Sequence, residues 1–415
     1  MYCGSCQRDN NLARQLIRMG HDVTLVPLYT PTLTDEENVS EDRIFFGGIS
    51  IYLQEKSALF RNTPRFLDKL WDSSAVIKAA TSGSIQTSPE NLGALTVSTL
   101  RGAEGNLRKE FDKFLEWAVS QPRPDVIALP YTLLIALAKP LREALGRPIV
   151  CALQGEDLFL EGLHEPWRSQ SLKLIREQTQ YVDRFLPISE FYERLMSAYL
   201  DIPRDRMEVL PLGIAFDGYQ PRDKFIDGPL KVGYFSRIAP EKGLHVLAEA
   251  MRLVKAEAPR VVMQAAGYMA AEHRDYLKEC HKFSEFEYLG VMDRERKQRF
   301  LESQDVICVP GPYADPKGTY ALEALAAGTP FVQARHGVFP EIAEKTGGGL
   351  LAESTDPRDI AATLLTLVKN RELVRSLGAA GAEGVRREYS LERSALRAVE
   401  IYSRVATAER VGVSR

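Results

Sequence analysis

Strand-like and helix-like runs alternate along this chain, and the alternation occurs twice, on either side of one stretch rich in proline and glycine. β-Branched segments bounded by turn residues read as strands, and apolar residues recurring every three to four positions read as helices. Sustained alternation builds a mostly parallel sheet with helices on its faces, so the expected fold class is α/β and doubly wound. In the first array the strand signals fall at 22–28, 48–53, 125–129, 148–153, 185–188 and 207–210. Helical spacing appears at 10–19, in segments between 59 and 117, and at 133–145, 166–181 and 190–200.

Residues 211–229 carry three prolines, three glycines and scattered charges, which suits a connection better than a core element. The pattern then restarts, with strands at 230–235, 261–266, 286–289, 306–309 and 330–333, and helices at 243–257, 271–282, 294–303 and 319–327. At 415 residues the chain exceeds what a single core supports. The expectation is an N-terminal domain at 1–213, a linker at 214–229, a C-terminal domain at 230–390, and a helix at 391–415 crossing back to the first domain.

Charge and cysteine content narrow the function classes. A formal net charge of −3 argues against long nucleic acid as a partner. No apolar run reaches the roughly 20 residues of a membrane span, and no signal-peptide pattern opens the chain, so the cytoplasm is the default compartment. Cys3, Cys6, Cys151, Cys280 and Cys308 are an odd, sparse set that suits thiols. Cys3 and Cys6 form a C-x-x-C pair, but no second ligand pair follows at metal-binding spacing, so no metal site is expected. The segment KSALFRNTPRFLDKLW (56–71) mixes cations with Phe60, Phe66 and Trp71. It reads either as a peripheral membrane contact or as a surface helix with one buried face, and the second is favoured.

Ligands of open α/β sheets collect beyond the carboxyl ends of strands, which directs attention to the loops after Phe235 and Val309. The first contains RIAPEKG, with Arg237 and Lys242 five residues apart beside a helix start, two cations suited to a diphosphate. The second contains DPKGTYALEALAAGTP, in which Gly318 and Thr319 open a helix and Glu323 follows one turn later. Amides at a helix start favour phosphate, and a glutamate can accept hydrogen bonds from two sugar hydroxyls.

These two motifs resemble the donor domain of glycosyltransferase family 4, the retaining enzymes of the GT-B fold. The segments HGVFPEI, VLPLGIAFD and RMGHDVTLV resemble further stretches of the same family, so the resemblance runs along nearly the whole chain. It implies two Rossmann-like domains facing a cleft, with the nucleotide sugar on the C-terminal one and the acceptor on the other. It implies that Arg237 and Lys242 hold the diphosphate, that the Gly318 and Thr319 amides surround it, and that Glu323 holds the ribose. Asp315 stands where the family has its sugar-contacting glutamate, one methylene shorter. Gln154 stands where the family commonly has histidine. Glutamine cannot shuttle a proton, so Gln154 is expected to position a group, leaving Glu156 and Asp157 as nearby ionisable side chains.

The resemblance further implies retention of configuration. The expected reaction transfers a hexose from a UDP- or GDP-type sugar without a tightly bound cofactor, and because Arg237, Lys242 and the Gly318 amides would stabilise the leaving diphosphate, no metal ion is required. No Asp-x-Asp sequence is present to bridge a divalent ion and two phosphates. The acceptor, whether carbohydrate, lipid-linked or small molecule, and the oligomeric state are not legible. The chain enters a helix almost at once, where a Rossmann-like half opens with a central strand; the expectation is that this first strand is missing and the natural chain starts upstream. A catalytically weak sugar-nucleotide-binding protein is the competing reading, prompted by Gln154 and Asp315. A nicotinamide oxidoreductase is disfavoured because neither opening strand leads into G-x-G-x-x-G.

Overall fold

The computed structural model describes residues 4–28, 36–46, 51, 54–55, 89–221 and 228–412. The chain forms two compact units. One comprises Tyr2–Ile188, Tyr192–Leu210 and Ala395–Arg415, and the other Pro211–Ser394 with the short piece Ser189–Phe191. The segment at 56–71 lies outside the described residues, as does Cys3.

The N-terminal unit is built on β1 (Ile127–Leu129), β2 (Ile149–Leu153) and β3 (Arg184–Pro187), paired in parallel in the order β1-β2-β3. Every residue of β2 is buried, as a central parallel strand covered on both faces requires. Along this part of the chain run α1 (Gly4–Arg18), α2 (Pro89–Leu100), α3 (Arg108–Ser120), α4 (Ala138–Leu145), α5 (Asp157–Glu161), α6 (Trp167–Gln178) and α7 (Glu190–Leu200).

Several expected elements differ here. Among the described residues, 22–28 and 207–210 pair through isolated bridges, Leu25 with Ser40, Leu28 with Phe45 and Phe185 with Met207, supported by hydrogen bonds such as Glu208 N–H to the Phe185 carbonyl at 2.9 Å and Leu210 N–H to the Pro187 carbonyl at 2.9 Å. Ile51 is helical, not extended, and most of the expected strand around it lies outside the described residues. The helix expected at 133–145 begins as a 3₁₀ segment, Thr132–Leu137, and becomes α-helical only at Ala138. Pro140 supplies the reason: lacking an N–H, it cannot continue a helix begun at Leu133, whereas a restart at Ala138 places it in a first turn.

The second unit holds a six-stranded parallel sheet in the order β6-β5-β4-β7-β8-β9. Its elements in chain order are β4 (Lys231–Phe235), α8 (Leu244–Glu257), β5 (Val262–Ala266), α9 (Arg274–Phe283), β6 (Glu287–Tyr288), α10 (Arg294–Ser303), β7 (Val306–Cys308) and α11 (Thr319–Ala326). Then follow β8 (Phe331–Ala334), α12 (Phe339–Thr346), β9 (Gly349–Ala352), α13 (Pro357–Lys369) and α14 (Arg371–Glu388). The chain leaves β4 toward β5 and β6, then returns to the other side of β4 as β7. The order therefore reverses between β4 and β7, and a crevice opens beyond their carboxyl ends.

The last helix, α15 (Leu391–Gly412), starts in the second unit and ends in the first. Its Ala395, Ala398, Ile401 and Val405 recur at helical spacing and pack with Leu12, Leu16, Val150, Leu186 and Leu210. Ser394 Oγ donates to the Pro211 carbonyl at 2.8 Å, tying the last residue of the Pro211–Ser394 stretch to its first.

Candidate donor site

Tyr234, fully buried on β4, fixes the first loop from inside. Its hydroxyl lies 3.0 Å from the Arg237 carbonyl and 3.3 Å from the Lys242 carbonyl. Gly243 ends this turn at φ 73°, and a side chain there would come within 2.4 Å of the Pro310 carbonyl oxygen. Gly311 is equally constrained, with the Glu241 carbonyl oxygen 2.4 Å from where a Cβ would stand. The loops after β4 and β7 thus touch main chain to main chain, which only glycine permits at these points.

That contact brings Lys242 to Asp315. Lys242 Nζ lies 2.6 Å from Asp315 Oδ2, both side chains are largely buried, and the ammonium stands 5.5 Å from the centre of the Tyr313 ring. Asp315 Oδ1 accepts from the backbone amides of Lys317 at 2.9 Å and Gly318 at 3.1 Å. Burial alone would raise the Asp315 carboxyl pKa, but the Lys242 charge and the hydrogen bonds from Lys242, Lys317 and Gly318 hold it below the ordinary carboxylate value. One carboxylate here spans a lysine and the amides ahead of a helix, the same set of donors that would hold a phosphate.

The expected residues are therefore arranged as follows. Lys242, Asp315 and Gly318 form one cluster, with Asp315 occupying the Gly318 amide. Ala321 and Leu322 both donate to the Gly318 carbonyl, so Thr319 and Tyr320 are the amides that α11 itself leaves over. Arg237 stands at the same strand end, but its guanidinium is 44% exposed and pairs with Glu241 at 3.0 Å. Glu323 pairs with Lys297 of α10 at 2.7 Å. His336, in the loop after β8, is held by burial below the ordinary imidazole pKa against the pull of a hydrogen bond with the Gly311 backbone and of the Asp315 charge. Sequence reasoning misses Lys297 and His336; Lys297 sits in the charged run DRERKQR, where every position looks like a solvated face.

Gln154 lies in the N-terminal unit, just after β2, and is buried. Its Nε2 donates to the Pro130 carbonyl at 2.7 Å and lies 3.5 Å from Asp9 Oδ2, while its Oε1 has no partner among the described residues. Glu156 caps no helix. It accepts from Thr132 N at 3.3 Å, Thr132 Oγ1 at 3.1 Å and Gln154 N at 2.8 Å, with the Tyr192 hydroxyl 3.2 Å away. Burial raises its pKa more than these hydrogen bonds lower it. Among the described residues no group of three or more His, Cys, Asp or Glu side chains is placed to hold a metal ion, and no helix is long and apolar enough to cross a membrane.

Comparison with known proteins agrees with this architecture. Residues 7–213 match the glycosyl transferase 4-like domain and residues 219–384 match glycosyl transferases group 1. The amylovoran biosynthesis glycosyltransferase AmsK of Erwinia amylovora is 26% identical over 287 residues, covering 65% of this chain and 68% of that protein. A phosphatidyl-myo-inositol mannosyltransferase of Mycobacterium leprae is 34% identical over 120 residues, 29% of this chain and 32% of that protein. The putative colanic acid biosynthesis glycosyltransferase WcaL of Escherichia coli is 28% identical over 44% of this chain, and the chain spans 47% of its length. Among solved structures, Anabaena Alr3699/HepE in complex with UDP-glucose aligns over 92% of this chain and all of its own (100%), with TM-score 0.60 and 15% identity. A glycosyltransferase from Rickettsia africae aligns over 93% and 99%, with TM-score 0.58 and 13% identity. The chain belongs to the GT-B glycosyltransferases of the family 4/1 type.

Proposed function

We propose that this protein is a retaining, metal-independent hexosyltransferase that binds a UDP- or GDP-type sugar on its C-terminal unit and an acceptor on its N-terminal unit. The observation that carries the reading is the Asp315 carboxylate bridging Lys242 and the Gly318 turn, because these donors would serve a diphosphate equally well. Arg237 completes the diphosphate set by exchanging Glu241 for the ligand. The Thr319 amide and the α11 N-terminus add the helix dipole, and Glu323 accepts from the ribose.

In the reaction, the bond between the anomeric carbon and the diphosphate oxygen breaks and the electron pair leaves with the diphosphate. The acceptor oxygen bonds to the anomeric carbon from the face the diphosphate vacates, and its proton passes to a diphosphate oxygen. Lys242, Arg237 and the helix amides stabilise the departing charge, a contribution of about 3–4 kcal/mol for each well-placed donor. Asp315, released from Lys242, is left to contact the sugar, and Gln154 positions the acceptor side. Structures of Anabaena HepE with UDP-glucose and of Staphylococcus aureus TarM with UDP support a donor of this class. Cys151, Cys280 and Cys308 are thiols rather than disulfides, which suits a reducing compartment, and we place the reaction in the cytoplasm.

A thermal-shift series with UDP, GDP and ADP, followed by incubation with the matching sugar donors in EDTA, tests the reading. One diphosphate is expected to raise the melting temperature with concentration, and sugar transfer or donor hydrolysis is expected to persist in the chelator. Absence of a shift with every nucleoside diphosphate would overturn the donor site. Gln154 and the shortened carboxylate at Asp315 favour one second reading, a binding protein without turnover. Tight binding with no hydrolysis or transfer above the Lys242→Ala background would establish that instead.

A further inference from the structure

Helix α11 is enclosed on nearly every side. Tyr320, Ala321, Leu322, Ala324, Leu325 and Ala326 are buried, whereas Thr319 and Glu323, four residues apart and so on one face, are only partly covered. Glu323 stands on this open stripe with its side chain 12% exposed, and Lys297 Nζ meets its Oε1 at 2.7 Å with a side chain 13% exposed. Lys297 is held on a rigid turn. The Asp293 side chain caps α10 by accepting from the Arg296 amide at 2.8 Å, the Lys297 amide donates to the Asp293 carbonyl at 2.9 Å, and Gln298, Phe300 and Leu301 beside it are buried.

We propose that Lys297 is a positioning residue for nucleotide recognition, holding the Glu323 carboxylate toward the vicinal hydroxyls of the donor ribose and so setting a preference for ribo- over 2′-deoxyribonucleoside diphosphates. The inference rests on the donor reading above. A glutamate side chain turns about three bonds, and an unsupported carboxylate would spread over several orientations. The lysine fixes one oxygen through a charge-assisted bond and leaves the second oxygen, with the spare lone pairs, to accept from the 2′- and 3′-hydroxyls. Removing one hydroxyl from the ligand then leaves a largely buried acceptor unmet, which is the arrangement that discriminates most strongly against a missing group.

The test measures calorimetric affinities of UDP and 2′-deoxy-UDP, and of GDP and 2′-deoxy-GDP, for the wild-type chain, Lys297→Met, Lys297→Arg and Glu323→Gln. The wild type is expected to favour the ribonucleotide by about ten- to a hundredfold, as the loss of a hydrogen bond to a charged group implies. Lys297→Met and Glu323→Gln should lower ribonucleotide affinity and bring the ratio near one while leaving the deoxynucleotide nearly unaffected, and Lys297→Arg should restore most of the ratio. If Lys297 only staples α10 to α11, Lys297→Met will weaken both nucleotides alike and the ratio will stand, which overturns the inference alone. Should Lys297→Met not fold, an unchanged ratio in Glu323→Gln overturns it together with the ribose contact proposed for Glu323, while nucleotide binding itself leaves the rest of the donor reading standing. If the wild type binds neither uridine nor guanosine diphosphate, the donor reading falls and this inference with it.

Discussion

Lys242 Nζ and Asp315 Oδ2 meet at 2.6 Å across the crevice between the loops that follow β4 and β7. The contact joins the two sequence motifs that most resemble a donor site, and it fills with a carboxylate the place expected of a phosphate. On the proposed reading a diphosphate bound there exchanges one anion for another, and the affinity for donor would then include the cost of releasing Asp315.

If Lys242 stabilises the leaving diphosphate as proposed, Lys242→Ala is expected to lower kcat by about a hundred- to a thousandfold. It also strands a buried carboxylate, at a cost to stability on the order of 3–5 kcal/mol. Lys242→Ala combined with Asp315→Asn should recover stability without recovering turnover. Steady-state kinetics beside urea titrations separate the two effects, and parallel recovery of both would count against a catalytic role.

Asp315 also predicts a pH dependence. Its folded-state pKa is depressed, so its contribution to stability is fully present above the unfolded carboxylate value of about 3.9 and is lost as pH falls through the lower folded value. The stability difference between wild type and Asp315→Asn should be constant from neutral pH to about pH 5 and shrink below about pH 4. Urea midpoints across that range read it directly.

Glu156 behaves in the opposite sense. Its raised pKa means that its protonated form is favoured on folding, a contribution present below the unfolded value and lost as pH rises through the folded one. Its surroundings are nonetheless donors, so Glu156→Gln would turn an amide NH₂ toward N–H or O–H groups. We expect the variant to lose about 1–3 kcal/mol at neutral pH, measured by chemical denaturation.

Gly243→Ala should lose at least about 1–2 kcal/mol for the left-handed backbone alone, before its contact with the Pro310 carbonyl is counted. Nucleoside diphosphate affinity should fall with it. A calorimetric titration showing unchanged affinity would separate this turn from the donor site.

Ile401→Ala empties a fully buried position between α15 and the rest of the N-terminal unit and should cost about 2–5 kcal/mol. The loss is expected in thermal unfolding monitored by tryptophan fluorescence, to which Trp117 and Trp167 of the same unit contribute.

The second unit is legible in the sequence nearly element by element, because each of its strands is a short apolar run closed by turn residues. Strand β9 and helix α12 are exceptions. Strand β9 begins at Gly349 after two further glycines, and a run without side chains carries no strand signal; α12 opens at Phe339 between Gly337 and Pro340, turn-forming residues that hide its start. In the first unit, residues 22–28 and 207–210 have the composition of strands and do lie beside partners, the Glu208 and Leu210 amides donating to the Phe185 and Pro187 carbonyls, but among the described residues the pairing stops at isolated bridges. The candidate site is legible as a set of residues: the two loop motifs point to Lys242, Gly318 and Glu323, and the family resemblance adds Asp315. Which partner each holds is not, because the carboxylate on Lys242 and the lysine on Glu323 come from segments 73 and 26 residues away.

At Gly243 and Gly311 the turns after β4 and β7 abut through carbonyl and α-carbon atoms, with no side chain interposed. Their separation is thus a property of the peptide backbone. Exchanges among the surrounding side chains could retune which sugar or base is accepted while leaving the gap between the turns unaltered, so on the proposed reading selectivity for the donor can drift without dismantling its cradle.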